Sequence, residues 1–598
     1  MVFPIAAWNQ PQSSGNTTQP AATPSPLPAA TPAQQKAETV YESATVLKAV
    51  TRLVVVDVVA DNKKGEPITD LKLSDFTLLE DGKQQTIKVF NFQEPVLHPR
   101  PPAPAPTGTK LPENIYSNVP TYQATSALNV VLLDALNTTM PNQAYVRDQM
   151  IHYLEKMPEG RPVAVYTLGT KLRLLQDFTT DPATLKEVIR KLKTTSSPLL
   201  PNPTGGPEQE VLPAGIADSG MLPPEMLDAI MSFEQEATAA QTDLRIAYTL
   251  SAMNALSRQL AGYPGRKNLV WVSEAFPINI DPNLELNNPF IGIRNYVDQI
   301  AAAAQGLIDS QIAIYPVDAR GLVSYSIFSA SNPGRDRFGR SLARPGVLGT
   351  ALSTESASLQ AVHGTMEDLA QRTGGKAFYN RNDIDGAIRR SIEDGSTYYT
   401  LAYYPENKNW NGKFRKIRVT VDRPGIKLRY RLGYYAMDPK TFTKHNEKQQ
   451  TAMFSDALSL DNPVATALTF HAGVIAPSAA TQNKVWVNFG VDPHAISFEQ
   501  DRAGLHHARI ECAIAAFTTK GKYVKSAVST MNAALKPDTF NRLMHGYFPC
   551  QQSIDLPSGN YLLRLGVRDL STGLMGTANA KVIVPASEAA AQPAQEKP

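Results

Sequence analysis

The stretch Asn129-Val-Val-Leu-Leu-Asp134-Ala-Leu-Asn137-Thr138-Thr139 decides the fold. A short apolar run, rich in Val and Leu, passes directly into an acidic residue and then a small polar cluster. Runs of this length and composition read as strands buried on both faces, as in a parallel sheet. Ligands of such sheets bind just beyond the carboxyl ends of the strands, which is where Asp134 falls.

Outward from that strand, the chain alternates strand and helix. A helix is expected near 143–157. Val163–Leu168 and Lys171–Leu175 then flank Gly169-Thr170, a two-residue hairpin loop, so one edge strand is antiparallel. Asp181-Pro182 opens a helix with an N-cap aspartate and proline at the first position. After a Pro/Gly-rich excursion over 196–224, a helix runs to about Leu260. Buried strands end at Ser273 and Asp318, and Lys376–Tyr379 reads as one more short strand. This βα alternation predicts a doubly wound, Rossmann-like sheet of about six strands over 126–396. Long excursions follow Ser273 and Asp318, both leaving the edge that carries Asp134. Loops of that length in compact domains usually serve function.

The flanks read as β structure. Segment 45–94 contains the strand Val54–Ala60 and the hairpin signal Asp81-Gly82, too little sheet to stand alone. Segment 397–437 supplies more strands, including the alternating Lys413–Val421, and is expected to complete a sandwich into which the α/β domain is inserted. Segment 450–585 resembles a second, C-terminal β-sandwich. Residues 1–44 form a Pro/Ala/Thr-rich spacer expected to be disordered, as is the tail 586–598, and 95–125 reads as a Pro-rich linker.

Bulk properties narrow the functional classes. At 598 residues with a formal charge of +3, several domains are expected and neither nucleic acid nor an anionic membrane is implied. No segment has the length and apolarity of a transmembrane span. The apolar N-terminus, Met1–Trp8, lacks a basic region and would fit the remnant of an export signal whose start lies upstream. The two cysteines, Cys512 and Cys550, are not spaced as a zinc motif. They are either one disulfide or two buried thiols. No nucleophile elbow, HExxH, Walker loop or dinucleotide fingerprint occurs in a suitable context.

Taken in order, several segments resemble a known family. These are Gly65–Leu71 with Asp75-Phe76 and Glu80–Gly82, the strand ending at Asp134, Gln176–Thr179, Gly265–Ser273, Gly412–Ile417 and Arg431–Tyr434. The region from about Val46 to Ala436 is similar to the VWFA-related proteins of acidobacterial-type genomes, built around a von Willebrand factor type A (VWA) domain. That resemblance implies a metal-ion-dependent adhesion site, with oxygens from an Asp-x-Ser-x-Ser loop, a distant Thr and a distant acid. Carried over, Asp134 matches the first position, Leu136 replaces the first hydroxyl, Thr138 can replace the second, and Asn137 can lend an amide oxygen. Glu274 stands for the second acid, and Thr249 or Thr242 for the distant threonine. Mg2+ suits such an oxygen set, with Mn2+ or Ca2+ as substitutes. The alternative reading of Asp134, Asn137 and Thr138 is that they cap the following turn and helix.

The resemblance implies an exported, non-enzymatic, adhesion-type interaction module with a degenerate metal site. Its partner would be a protein ligand, and its place secreted, periplasmic or on the cell surface. Two alternatives stand beside it: a hydrolase with its site in the long loops, and an intracellular VWA chaperone or chelatase accessory.

Overall fold

The computed structural model describes residues 53–93, 111–120, 127–158, 160–204, 211–212, 216, 219, 221–275, 279–280, 294–323, 325–328, 332–336, 338–436, 447–477 and 483–585. The expectations for the spacer, the tail and residues 95–110 lie outside these.

The centre is a five-stranded sheet in the order Ile312–Asp318, Lys267–Ser273, Leu128–Asp134, Val163–Leu168, Leu172–Thr179. The first four strands are parallel, and the last is an antiparallel edge returned through Gly169-Thr170. All seven residues of Leu128–Asp134 are buried, because helices cover both faces. Val130 and Leu132 pack on one side with the helices Pro224–Leu260 and Val297–Asp309. Val131 and Leu133 pack on the other with Met140–Glu155, Pro182–Lys191 and Ile384–Asp394. Among the described residues the sheet has five strands rather than about six. Lys376–Tyr379 makes only a single bridge, Phe378 to Val317. The chain enters it from Gly374-Gly375, pressed so closely on Ile314 that a Cβ at Gly375 would collide with the Ile314 carbonyl.

Strand order reverses between Leu128–Asp134 and Lys267–Ser273. The strand following the central one lies on one side of it and the later strands on the other. The crevice at such a switch point is the usual ligand position in doubly wound sheets.

The opposite, amino edge is covered by β structure. Val54–Asp61 pairs antiparallel with Tyr398–Tyr403, and Phe76–Glu80 with Phe414–Val421, so strands on both sides of the α/β segment share two four-stranded sheets. Their common core includes Val56, Leu78, Tyr399 and Ile417. These sheets join the α/β unit through buried polar groups. Arg266 donates to the Tyr315 hydroxyl (3.0 Å) and the Gly374 carbonyl (2.8 Å), while its own backbone N–H reaches the Tyr398 hydroxyl (3.1 Å).

The C-terminal region is a second pair of sheets over one core, including Phe470, Val487, Ile514 and Leu565. Cys512 and Cys550 form a disulfide within it. One expectation needs correction here. Ile115–Ser117, assigned to the Pro-rich linker, is a strand paired with His471–Gly473 of this C-terminal sheet. Three residues beside a proline-rich run carry too little periodicity to be read, and the long-range register supplies what local pattern lacks. Asn118 fixes it, donating to the carbonyls of Ala465 (2.8 Å) and Leu468 (2.9 Å).

Candidate functional site at the carboxyl edge

Asp134 ends the central strand and is 2 % exposed. Its carboxylate is fully engaged. Oδ1 accepts from the Asn137 backbone N–H (3.0 Å). Oδ2 accepts from Asn137 Nδ2 (2.9 Å), Trp271 Nε1 (3.1 Å) and Ser273 Oγ (2.8 Å). The local turn supplies the first two donors. Trp271 and Ser273 alternate onto the same face of the neighbouring strand and supply the others. Burial nevertheless raises the Asp134 pKa above the ordinary carboxylate range, against the hydrogen bonds from Asn137, Ser273 and Trp271. Arg245, buried on the long helix, faces the same charge; burial lowers its pKa and Asp134 opposes that shift.

Asn137 turns its amide nitrogen to both Asp134 and Thr249 Oγ1 (2.9 Å), and Thr249 in turn donates to the Arg245 carbonyl (2.8 Å). Of the two candidate distant threonines, the fold therefore brings Thr249 to Asp134. Thr242 instead donates to the Thr238 carbonyl and accepts from Arg245. Leu136 is buried in the core cluster of the long helix. Thr138 Oγ1 is buried with no hydrogen-bond partner.

Glu274 does not face Asp134's oxygens. Its Oε1 accepts from the Thr139 backbone N–H (3.1 Å), Thr139 Oγ1 (2.6 Å) and Asn142 Nδ2. Thr139 is the N-cap of the helix Met140–Glu155 and makes no side-chain cap of its own, so Glu274 caps that helix from another strand. Burial raises the Glu274 pKa, with the Thr139 and Asn142 hydrogen bonds and the Arg320 charge opposing.

One strand further out, Asp318 accepts from Arg320 Nε (2.9 Å) and faces His363 Nε2 at 3.0 Å. Its pKa is lowered; burial is the largest single influence and acts the other way, but the His363 and Arg320 hydrogen bonds outweigh it. His363 stacks on Tyr379 at 4.4 Å between ring centroids.

Three observations test the residues against a divalent cation. Asp134's oxygens face four donors, Leu136 has no oxygen to offer, and Glu274 is committed to the helix end. Only the orphaned Thr138 hydroxyl points the other way. The donor set does not fit a cation in this arrangement; Asn137, Trp271, Ser273 and Arg245 occupy the positions around Asp134 from which positive charge would act. Among the described residues, no three His, Cys, Asp or Glu side chains converge in a metal-binding group. What the arrangement does is lock four elements together at the switch point. Sequence reasoning missed Trp271, Arg245, Thr139, Asn142 and the Asp318–His363 pair. Only Trp271 and Ser273 carried a signal, their spacing of two on a strand beside Asp134.

In the segments that follow Asp318 and Phe378, Leu322, Phe328 and Tyr379 are exposed.

No protein-family model matches the chain, and no curated protein does. Solved structures similar to it include an aerotolerance-related membrane protein from Bacteroides fragilis (12 % identity, 45 % of this chain and 98 % of that one, TM-score 0.23). The vWF domain of the type V pili tip protein Mfa5 from Porphyromonas gingivalis is similar at 11 % identity over 45 % of this chain and 94 % of that one, TM-score 0.21. A von Willebrand factor type A protein from Catenulispora acidiphila is similar at 10 % identity over 64 % and 82 %, TM-score 0.20. Likenesses this distant assign neither ligand nor activity.

Proposed function

We propose that the chain is an exported, non-enzymatic protein-interaction module of VWA type, whose protein ligand docks on the carboxyl edge of the α/β sheet without a resident cation. The observation that carries this reading is the switch-point crevice itself. It is closed by a buried network in which internal donors take up the Asp134 carboxylate, and the segments that follow the neighbouring strand end at Asp318 and the Phe378 bridge expose the apolar Leu322, Phe328 and Tyr379. Exposed apolar side chains beside a rigid polar base suit a protein partner. The disulfide supports export, because such bonds persist in oxidising compartments. No helix among the described residues is long and apolar enough to cross a membrane.

The test uses the full chain and a Leu322→Asp/Phe328→Asp variant, immobilised and exposed to envelope extract and culture supernatant, with and without chelator. Proteins retained by the wild type, chelator or not, are expected to be missing from the variant. Identical retention by both would remove this edge from consideration, and retention abolished by chelator would restore the cation.

A further inference from the structure

One of the two C-terminal sheets is built from Phe548–Asp555, Lys484–Val491, Phe470–Ile475 and Ile115–Ser117, paired in that order. Val474, Val487 and Cys550 point into the core. The period of two therefore turns His471, Gly473, Trp486, Asn488, Gly490 and Gln551 to the outer face.

Gly473 lies in the middle of this face, paired with Ile115 on one side and Asn488 on the other. Glycine weakens a strand interior, so its presence there calls for a reason. A bulge is not the reason, since the register runs unbroken on both sides. The backbone is extended without positive φ, and a Cβ would meet nothing within 4 Å. What the missing side chain leaves is clearance above the sheet, and close approach of a ligand is the remaining circumstance that favours glycine in a strand.

Aromatic side chains wall this gap. On one side Tyr547 lies across Gly490, where a Cβ would stand 3.3 Å from the Tyr547 Cγ. Its ring meets His471 edge-on at 5.5 Å between centroids and is 51 % exposed at the surface. On the other side the half-buried Trp486 stands opposite Ile475. Trp486 and Gly490 are four residues apart on one strand, or about 13 Å. Between them Asn488 and Gln551, both exposed, face each other on neighbouring strands, and Gln551 Nε2 donates to Asn488 Oδ1 (2.7 Å). That bond leaves the Asn488 Nδ2 donor and the Gln551 Oε1 acceptor side by side.

This chemistry selects the occupant. Among the outward positions of the three longer strands the charged residues are Lys484 and Asp555, which stand opposite each other at one end of the sheet and cancel. Lys484 Nζ also lies 5.8 Å from the centre of the Trp486 ring. Burial lowers the His471 pKa, so the imidazole is uncharged at neutral pH. The face thus offers no net charge to a phosphate, a charged peptide or an anionic polymer. A protein contact needs a desolvated apolar centre, whereas the centre here is an amide pair beside a glycine. Aromatic walls with a donor and an acceptor between them match a sugar, whose C–H faces stack on rings and whose hydroxyls both donate and accept.

We infer that the outer face of this sheet binds an uncharged glycan, with Trp486 and Tyr547 stacking on sugar rings and Asn488 and Gln551 bonding hydroxyls beside the gap left by Gly473. This surface belongs to a different sheet from the carboxyl edge around Asp134 and stands whether or not a protein docks there.

The probes are linear hexasaccharides of glucose, mannose, galactose and N-acetylglucosamine, with a galacturonate oligomer as the charged control. Binding to the full chain is followed by calorimetry and tryptophan fluorescence. At least one neutral probe is expected to bind, at least tenfold more tightly than the charged control and with an affinity indifferent to salt. Trp486→Ala and Asn488→Ala/Gln551→Ala are each expected to weaken it at least tenfold. Gly473→Thr is the discriminating variant: its side chain enters open space and suits a strand, so the melting temperature should hold or rise while binding falls at least tenfold. Failure of every neutral probe to bind, tighter binding of the charged control, or an affinity that falls with salt would overturn the proposal. So would unchanged binding to Trp486→Ala or Gly473→Thr, or a lowered melting temperature in Gly473→Thr, which would give that glycine a structural reason.

Discussion

Replacing Asp134 by alanine separates a hydrogen-bonded hub from a metal ligand. In the wild type the carboxylate accepts from four donors. After truncation, Ser273 Oγ can turn toward the Ala275 carbonyl, already 3.4 Å away, and Asn137 Nδ2 keeps Thr249. The Asn137 backbone N–H and Trp271 Nε1–H lose this acceptor in a buried site. Each hydrogen bond lost in this buried site costs roughly 1–3 kcal/mol. Arg245 loses the charge it faces, while removal of a carboxylate that burial itself disfavours offsets part of the loss. The net expectation is about 3 kcal/mol of destabilisation, and roughly half that for Asp134→Asn, which keeps the volume and one acceptor oxygen. Because a chain of several domains need not unfold in one step, the assay is native-state hydrogen exchange of the amides in Leu128–Asp134 and Lys267–Ser273. The loss should be the same with magnesium or with chelator. A change below about 0.5 kcal/mol, or one seen only when magnesium is present, would show that Asp134 is not the hub of these hydrogen bonds.

Three further outcomes follow from the same physics. Glu274→Gln keeps an acceptor for Thr139 and Asn142 and should leave thermal stability nearly unchanged, whereas Glu274→Ala should cost about 1–2 kcal/mol and loosen exchange in the first turn of Met140–Glu155. Lys267 is fully buried with Nζ donating to the Tyr263 carbonyl (2.8 Å), and burial pushes its pKa down to about 7. The unfolded chain binds the proton more readily between that value and about 10.4, so the wild type gains stability as pH rises through this window and is weakest below it. Lys267→Met should therefore raise the melting temperature most at pH 6.5 and least at pH 10, and an advantage that grows with pH would contradict this. Removing the disulfide by Cys512→Ala/Cys550→Ala opens a loop with a sequence separation of 38. Chain entropy puts the cost at about 4 kcal/mol, expected as lost exchange protection in His506–Thr518 with the central α/β sheet unaffected.

What the sequence disclosed was whatever a few neighbouring residues decide. The strand ending at Asp134, the Asp181 cap that accepts from Ala183 and Thr184, and the turn with positive φ at Asp81 and Gly82 all follow from composition and spacing within a turn or two. The partners of Asp134 did not, because Trp271 and Ser273 lie more than 130 residues away and a strand buried on both faces does not announce which face meets the acid. The direction of the Asn137 amide was likewise undetermined: read alone it can offer oxygen to a cation, but Asp134 and Thr249 together draw its nitrogen inward. Glu274 was placed at the correct edge and its job was not, since capping a helix from a separate strand leaves no local pattern.

The central claim is that the carboxyl edge is held by internal hydrogen bonds and not by an ion. The most direct measurement is hydrogen exchange of the Asn137–Thr139 backbone amides in chelator and in saturating magnesium or manganese. Identical protection is expected under both conditions in the wild type, lost in both on Asp134→Ala. Protection that rises on adding the metal, and fails to rise in Asp134→Ala, would contradict it.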